Sequence, residues 1–167
     1  MTLPPGFLDF SVRRLRSGDA EALSRFYSAL SEQSCFFYEP YKDTSLAAMH
    51  AVVQRTLDGV DLGMAAFDAD GNVFAHFFFG DIAQEAPHLG IGLLDAYHGL
   101  GMGAVLLSHL LSLGRHALQK KAIGLTVVKS NQRAIGLYTK FGFRITGEAS
   151  FRAENDSHVM QLDFPAP

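Results

Sequence analysis

A glycine-rich turn between an apolar run and an amphipathic run constrains this chain more than any other feature. The turn, His-Gly-Leu-Gly-Met-Gly-Ala at residues 98–104, follows the apolar residues 91–94 and precedes the amphipathic residues 105–118. This order predicts a strand, a turn and a helix. The predicted helix places on one face the residues Leu106, Leu110, Leu113 and Ala117. Glycines allow close backbone approach, and unpaired N–H groups at a helix N-terminus stabilise phosphate, so the turn predicts a phosphate-bearing ligand.

The sequence around the turn argues against two common phosphate sites. No Gly-Lys-Ser/Thr follows the turn, which argues against a P-loop. A dinucleotide-binding turn would lie in the first strand–turn–helix unit and would have an acidic residue about 20 positions further on. Here the turn lies past the middle of the chain, and the downstream residues Gln119-Lys120-Lys121 are basic.

A second block of sequence indicates which phosphate-bearing ligand the glycine turn could bind. Residues 130–143 read Ser-Asn-Gln-Arg-Ala-Ile-Gly-Leu-Tyr-Thr-Lys-Phe-Gly-Phe. The two blocks together resemble the GNAT superfamily of acyl-CoA-dependent N-acyltransferases over residues 89–147. The family motif Gln/Arg-x-x-Gly-x-Gly/Ala matches residues 98–103, except that His98 stands where Gln or Arg is usual. The family pattern Asn-x-x-Ala-x-x-x-Tyr-x-x-x-Gly-Phe matches Asn131, Ala134, Tyr138, Gly142 and Phe143.

The resemblance implies acetyl-CoA as the co-substrate and a set of residues that bind it. These residues are Leu93, Leu94, His98, Gly99, Gly101, Met102, Gly103, Ala104 and Asn131. The turn amides would bind the pyrophosphate, whereas Leu93 and Leu94 would pair with the pantetheine arm and hold the thioester carbonyl. The His98 ring could donate a hydrogen bond or add charge, or the backbone amides could suffice without it. Asn131 could contact the arm, cap a helix, or do both.

Tyr138 is the expected catalytic residue, because the resemblance gives this position the role of protonating the departing thiolate. Its alternative role is packing against the preceding strand. No general base can be assigned from the sequence, and the candidates are His76, Asp81, Glu85 and His88, each of which could equally be a solvated strand-end residue. The glycines Gly90 and Gly92 within the strand predict a bulge or a close approach by a ligand.

The acceptor site would be covered, by resemblance, by the segment between the first two predicted helices. That segment contains Phe36, Phe37, Tyr38, Glu39 and Tyr41. It could bind an apolar or aromatic acceptor whose ammonium group contacts Glu39, or its aromatic rings could belong to the core. The acceptor could be a small amine or an amine of a protein.

The pattern along the chain predicts a single α+β domain over residues 1–167, with a mixed central sheet of about six to seven strands and about four helices. The predicted strands cover residues 10–16, 61–68, 72–81, 89–94, 123–128, 143–150 and 158–164. The predicted helices cover residues 20–30, 46–57, 105–118 and 131–141, and residues 35–41 are expected to be irregular.

Composition excludes several classes of protein. The net charge of −3, without a dense basic cluster, argues against nucleic acid, and no apolar window is long enough to cross a membrane. The start of the chain lacks signal-peptide features, so a cytoplasmic location is expected. The single cysteine, Cys35, excludes an intrachain disulfide and is expected to be a small buried side chain. The histidines form no close ligand pair, so no metal is expected.

Three functions follow from these patterns. The first is transfer of an acyl group, most simply acetyl, from acyl-CoA to a primary amine by direct attack in a ternary complex. The second is a non-catalytic acyl-CoA-binding module or sensor, and the third is a nucleotide-binding module. A homodimer is possible through the apolar strands and Phe77-Phe78-Phe79, which could equally face the core.

Overall fold

Seven strands form one mixed sheet in the computed structural model of the chain, which describes residues 9–150 and 156–165. The strands are β1 (Ser11–Arg14), β2 (Leu62–Phe67), β3 (Val73–Gly80), β4 (His88–Leu93), β5 (Ala122–Val128), β6 (Arg144–Ser150) and β7 (Asp156–Asp163). The helices are α1 (Ala20–Ser28), α2 (Glu32–Phe37), α3 (Leu46–Leu57), α4 (Met102–Ser112) and α5 (Gln132–Lys140). The predicted α+β class and mixed sheet are confirmed.

The strand order β1-β2-β3-β4-β5-β7-β6 contains one parallel pair, β4 with β5. The other neighbours are antiparallel, and most pair along their length. By contrast, β4 and β5 pair only at His88 with Gly124. The two strands therefore diverge beyond this point, and their carboxyl-terminal halves open a gap in the middle of the sheet.

Helices cover both faces of the sheet because the central strands carry apolar side chains on both faces. β3 is buried from Val73 to Phe79, which suits a strand covered on two sides. The cluster on the α4 face includes Phe77, Phe79, Leu106, Leu107 and Leu110. The cluster on the α1 and α3 face includes Leu23, Phe26, Met49 and Val53.

The helix α2 extends into residues 35–41, which the sequence predicts to be irregular, so that prediction is wrong for residues 35–37. Ser31 caps it, because its Oγ accepts a hydrogen bond of 3.2 Å from the Ser34 N–H. A helix of six residues has too few positions to show a helical period in the sequence. The described residues therefore contain five α-helices, where about four were predicted.

A π turn at Leu113–Ala117 ends the helix that follows the glycine turn. The Leu118 N–H donates to the Leu113 carbonyl oxygen at 2.9 Å, one residue beyond the α-helical spacing. This wider turn directs Gly114 into the core and leaves Ala117 exposed. The prediction that Ala117 shares the buried face of Leu106 and Leu110 is therefore wrong.

Candidate functional site

The gap between β4 and β5 is the floor of a cleft of about 1190 Å³. The glycine turn, the start of α4 and a segment that we call the roof, residues 31–42, all border this cleft. The α5 helix borders the cleft at Asn131, Ala134, Leu137 and Tyr138. The divergence of β4 and β5 thus brings both predicted sequence blocks to one cavity.

The hydrogen-bond pattern of β4 decides which of its backbone groups face the cleft. The Leu94 N–H donates to the Phe74 carbonyl oxygen at 2.9 Å, so residue 94 faces β3. On the opposite side, the Pro87 carbonyl oxygen accepts from the Gly124 N–H at 3.2 Å. Backbone groups alternate in direction along a strand, so Ile91 and Leu93 face the gap where β5 has diverged.

This alternation supports the pairing role expected of Leu93 and opposes the same role for Leu94. The Leu94 N–H is already bonded inside the sheet and cannot pair with a ligand in the cleft without breaking that bond. Ile91 takes its place as the second residue with outward backbone groups. Local sequence does not reveal this role of Ile91, because the direction of a backbone group depends on the register with β3.

The glycine turn has the geometry that an anion site at a helix N-terminus requires. Gly99 and Gly101 have φ angles of +76° and +81°, a left-handed conformation that other residues adopt at a cost. No side chain caps α4, whose first residues are Met102 and Gly103. The N–H groups at the start of a helix lack intrahelical partners, so these two donors point out of the turn. The Ala104 N–H bonds the Gly101 carbonyl oxygen at 3.0 Å and is less available.

His98 connects the turn to the strand before it. Its Nε2 lies 3.1 Å from the Leu93 carbonyl oxygen, which can only accept, so Nε2 carries the donated proton. In the neutral ring Nδ1 then has no proton to donate to a phosphate. The neutral His98 side chain therefore holds the Leu93 carbonyl and the turn together, and the backbone amides are the donors for an anion.

The α5 helix supplies Asn131 and Tyr138 to the cleft. Asn131 is its N-cap, with Oδ1 accepting from the Ala134 N–H at 3.2 Å, which confirms the capping role. The amide nitrogen of Asn131 retains donors for a ligand. Tyr138 is largely buried against Phe143, at 5.7 Å between ring centroids. Burial raises the pKa of Tyr138 to about 12, so its hydroxyl keeps its proton at neutral pH.

Four of the five residues expected at the acceptor site line the cleft, namely Phe36, Phe37, Tyr38 and Glu39. Tyr41 does not line it, because its ring stacks on Phe78 at 5.9 Å. The close approaches at Gly90 and Gly92 come from the protein itself. A Cβ on Gly90 would lie 2.5 Å from the Phe78 ring, and a Cβ on Gly92 would lie 2.1 Å from the Tyr38 ring.

Only one of the four candidate bases lines the cleft. His76 is fully buried, Glu85 is exposed and outside the cleft lining, and Asp81 pairs with Arg55 at 2.9 Å. His88 borders the cleft at the point where β4 and β5 still touch. Partial burial lowers the pKa of His88, which keeps its imidazole neutral to lower pH than an ordinary histidine.

The structure also bears on the predictions about a dimer surface, Cys35, metal binding and membrane-spanning helices. Phe77, Phe78 and Phe79 are buried in the core and offer no surface to a second copy. Cys35 is half-buried and does not line the cleft. Within residues 9–150 and 156–165, no group of His, Cys, Asp or Glu side chains could hold a metal ion. None of the helices in this part of the chain has the length and apolar character needed to cross a membrane.

Comparisons with known proteins agree with this geometry. A family model described as "Acetyltransferase (GNAT) family" matches residues 20–143. No curated protein sequence matches the chain. Ribosomal-protein-S5-alanine acetyltransferase from Vibrio fischeri superimposes with a TM-score of 0.80 at 16% identity, over 92% of this chain and 92% of that chain. Spermidine N-acetyltransferase from Vibrio cholerae, in complex with CoA and spermine, gives a TM-score of 0.76 at 18% identity, over 93% and 96% of the two chains. At these identities the two structures show a shared fold.

Proposed function

Because this chain belongs to the GNAT family of acetyltransferases, we propose that it transfers the acetyl group of acetyl-CoA to a primary amine by direct attack in a ternary complex. Acetyl-CoA is the donor that this family uses, and the structurally similar spermidine N-acetyltransferase from Vibrio cholerae is known in complex with CoA.

The observation that carries the proposal is the outward-facing backbone of β4, which ends at an uncapped helix N-terminus. Pantetheine contains amide groups that can pair with the backbone of Ile91 and Leu93. Its pyrophosphate would then meet the N–H groups of Met102 and Gly103, at the positive end of the α4 dipole. The cleft thus fits a ligand with amides along one arm and phosphate at its end.

Tyr138 is proposed as the proton donor to the departing sulfur. When the amine nitrogen forms its bond to the thioester carbon, the C–S bond breaks and its electron pair passes to sulfur. A hydroxyl whose pKa is raised to about 12 stays protonated and can donate to the thiolate. The hydroxyl has no hydrogen-bond partner among the described residues, which leaves it available to a ligand.

His88 is proposed to receive the proton that the amine loses, directly or through water. An arm that starts at the turn and runs back along β4 would bring the thioester towards the junction with β5. His88 lies at that junction, and its lowered pKa keeps it able to accept a proton. No covalent acyl-enzyme is proposed, because Cys35 does not line the cleft and direct attack needs no nucleophile from the chain.

The test is release of free CoA from acetyl-CoA with and without a primary amine, followed with a thiol reagent. The proposal predicts release that depends on the amine. It also predicts that Tyr138→Phe lowers kcat by about 100-fold and leaves the Kd of acetyl-CoA nearly unchanged. Binding of acetyl-CoA without amine-dependent release would contradict the proposal and favour a non-catalytic acyl-CoA-binding module.

A further inference from the structure

Tyr38 attaches the roof to the sheet. Its ring lies directly over Gly92 of β4, where a Cβ would come within 2.1 to 2.7 Å of three ring carbons. Any other residue at position 92 would therefore displace the ring. Tyr38 stacks on Tyr27 of α1, with ring centroids 6.1 Å apart and planes 10° apart. The ring is thus held between a strand and a helix.

The hydroxyl of Tyr38 reinforces this attachment through a buried polar cluster. It donates to the His76 carbonyl oxygen at 3.3 Å and lies 3.3 Å from the Tyr27 hydroxyl. The Tyr27 hydroxyl in turn lies 2.7 Å from Nδ1 of His76. Burial raises the pKa of both tyrosines and lowers the pKa of His76 to about 3, so the cluster is uncharged at neutral pH.

A second contact ties the roof to the segment before the glycine turn. The Ser34 Oγ donates to the Asp95 carboxylate at 2.5 Å. Asp95 begins the short 3-10 turn that leads to His98. The roof is therefore fixed at two points, Ser34 and Tyr38, and the side chains between and beside them are held over the cleft before any ligand binds.

Four of the eight roof residues that line the cleft have apolar or aromatic side chains, namely Phe36, Phe37, Tyr38 and Pro40. Leu30, which precedes the roof, and Phe78 of β3 also line the cleft. Phe36 is 38% exposed, which is unusual for a phenylalanine and leaves its ring open to a ligand. Phe36 and Phe37 meet edge to face, at 5.4 Å between ring centroids.

The charges of the cleft limit how many ammonium groups it can hold. Among the described residues that line it, the only carboxylates are Glu39 and Asp95. The Lys42 ammonium and the Arg133 guanidinium lie in the same lining and offset the charge of these two carboxylates. An acceptor with several ammonium groups needs several carboxylates to offset their lost hydration. An acceptor with a single ammonium group next to an apolar group is complementary to this lining, which combines few carboxylates with aromatic rings.

We infer that the acceptor is a primary amine with one positive charge, attached directly to an apolar or aromatic group that packs against Phe36 and Phe37. This inference rests on the proposed acetyl transfer and adds the class of acceptor to it. Two sources share this chemistry, a small monoamine and the amino terminus of a peptide whose first residue is apolar.

The test compares four acceptors at saturating acetyl-CoA, with thiol release as the readout: 2-phenylethylamine, ethanolamine, spermidine and a peptide that begins with phenylalanine. We expect kcat/KM for 2-phenylethylamine or for the peptide to exceed that for ethanolamine and spermidine by about tenfold or more. The better of the two apolar acceptors identifies the source. Equal or faster acetylation of spermidine or ethanolamine would overturn the inference and leave the proposed transfer intact. Failure of all four amines, with acetyl-CoA bound, would overturn the transfer as well.

One variant and its control test whether the roof causes the preference for an apolar acceptor. Phe36→Ala removes an exposed ring without opening the core, and we expect the preference for 2-phenylethylamine over ethanolamine to fall by about tenfold. Leu46→Ala is the matched control, because Leu46 is 47% exposed on α3 and lies outside the cleft lining. A preference that survives Phe36→Ala unchanged would overturn the role of the roof.

Discussion

The contact between Gly92 and Tyr38 makes Gly92→Ala a sharp probe of the roof. The added methyl group would lie 2.1 Å from Cε1 of Tyr38, so the ring must retreat by more than about 1 Å to reach ordinary van der Waals contact. Overpacking of this kind costs about 1–3 kcal/mol. Displacement of the hydroxyl also weakens its bond to the His76 carbonyl, at about 0.5–1.5 kcal/mol. We therefore expect a loss of about 2–4 kcal/mol in the free energy of unfolding.

Thermal unfolding measures this loss directly. For a chain of this size the loss corresponds to a fall in Tm of about 4–16 °C. The matched control is Gly18→Ala, where a Cβ meets no atom within 4 Å, and its Tm should stay within about 2 °C of the wild type. Because a displaced roof reshapes the acceptor end of the cleft, Gly92→Ala should also raise the KM of the amine more than the KM of acetyl-CoA.

A double variant separates the contact from a general intolerance of alanine at position 92. With Tyr38→Ala the ring is absent, so adding Gly92→Ala should cost little further. The two substitutions should then be non-additive by about 1–3 kcal/mol. A Gly92→Ala variant that melts like the wild type, or fully additive effects in the double variant, would refute the role of Tyr38 as the attachment of the roof.

Three further predictions concern histidines. His88→Gln should lower kcat/KM by about 100-fold. In the wild type, the pH profile of kcat/KM should have an acidic limb below the ordinary histidine value of 6.5, since burial lowers the pKa of His88. The variant should lack this limb, and an unchanged profile would contradict the role of His88. His98→Leu should raise the Kd of acetyl-CoA by about tenfold, because it removes the hydrogen bond to the Leu93 carbonyl oxygen. His98→Gln keeps a side-chain donor and should raise the Kd less. Calorimetric titration of both variants checks this, and equal effects on the Kd would exclude a role for the hydrogen bond between His98 and Leu93. For His76, the pKa is about 3 when folded against 6.5 for an ordinary histidine, so the unfolded chain binds more protons between these values and stability falls as the pH drops through that window. The loss should be about 3 kcal/mol at pH 4.5, measured by urea unfolding. The variant His76→Gln should lose this part of the pH dependence, and an identical dependence would refute it.

The sequence predicted the strands, the glycine turn and the helix that carries Tyr138 because these elements have clear local signals. β4 ends in apolar residues followed by three glycines, and α5 begins at a capping asparagine and ends before Gly142. The family resemblance then gave Tyr138 a role that local pattern could not give. The structure brings both blocks to one cleft, as that resemblance implies.

The features that the sequence did not predict depend on contacts between distant parts of the chain. The backbone of Ile91 faces the cleft because β4 pairs with β3 in one register, and a shift by one residue would have favoured Leu94 instead. Position 92 requires glycine because the Tyr38 ring packs against it. Tyr38 lies at the end of α2, a helix too short to show a helical period in the sequence. The exclusion of His76 as a base depends on complete burial, which its position in a strand did not reveal.

The most direct test of the donor site is the melting temperature of the purified chain with acetyl-CoA, with ATP and with NAD. A ligand at 100 times its Kd adds about 2.7 kcal/mol to the stability of the folded state, which is about 5–11 °C in Tm for a chain of this size. The cleft between β4 and β5 predicts this shift for acetyl-CoA and a smaller one for ATP and NAD. No shift with acetyl-CoA, or an equal shift with ATP, would contradict the assignment of the cleft to acetyl-CoA.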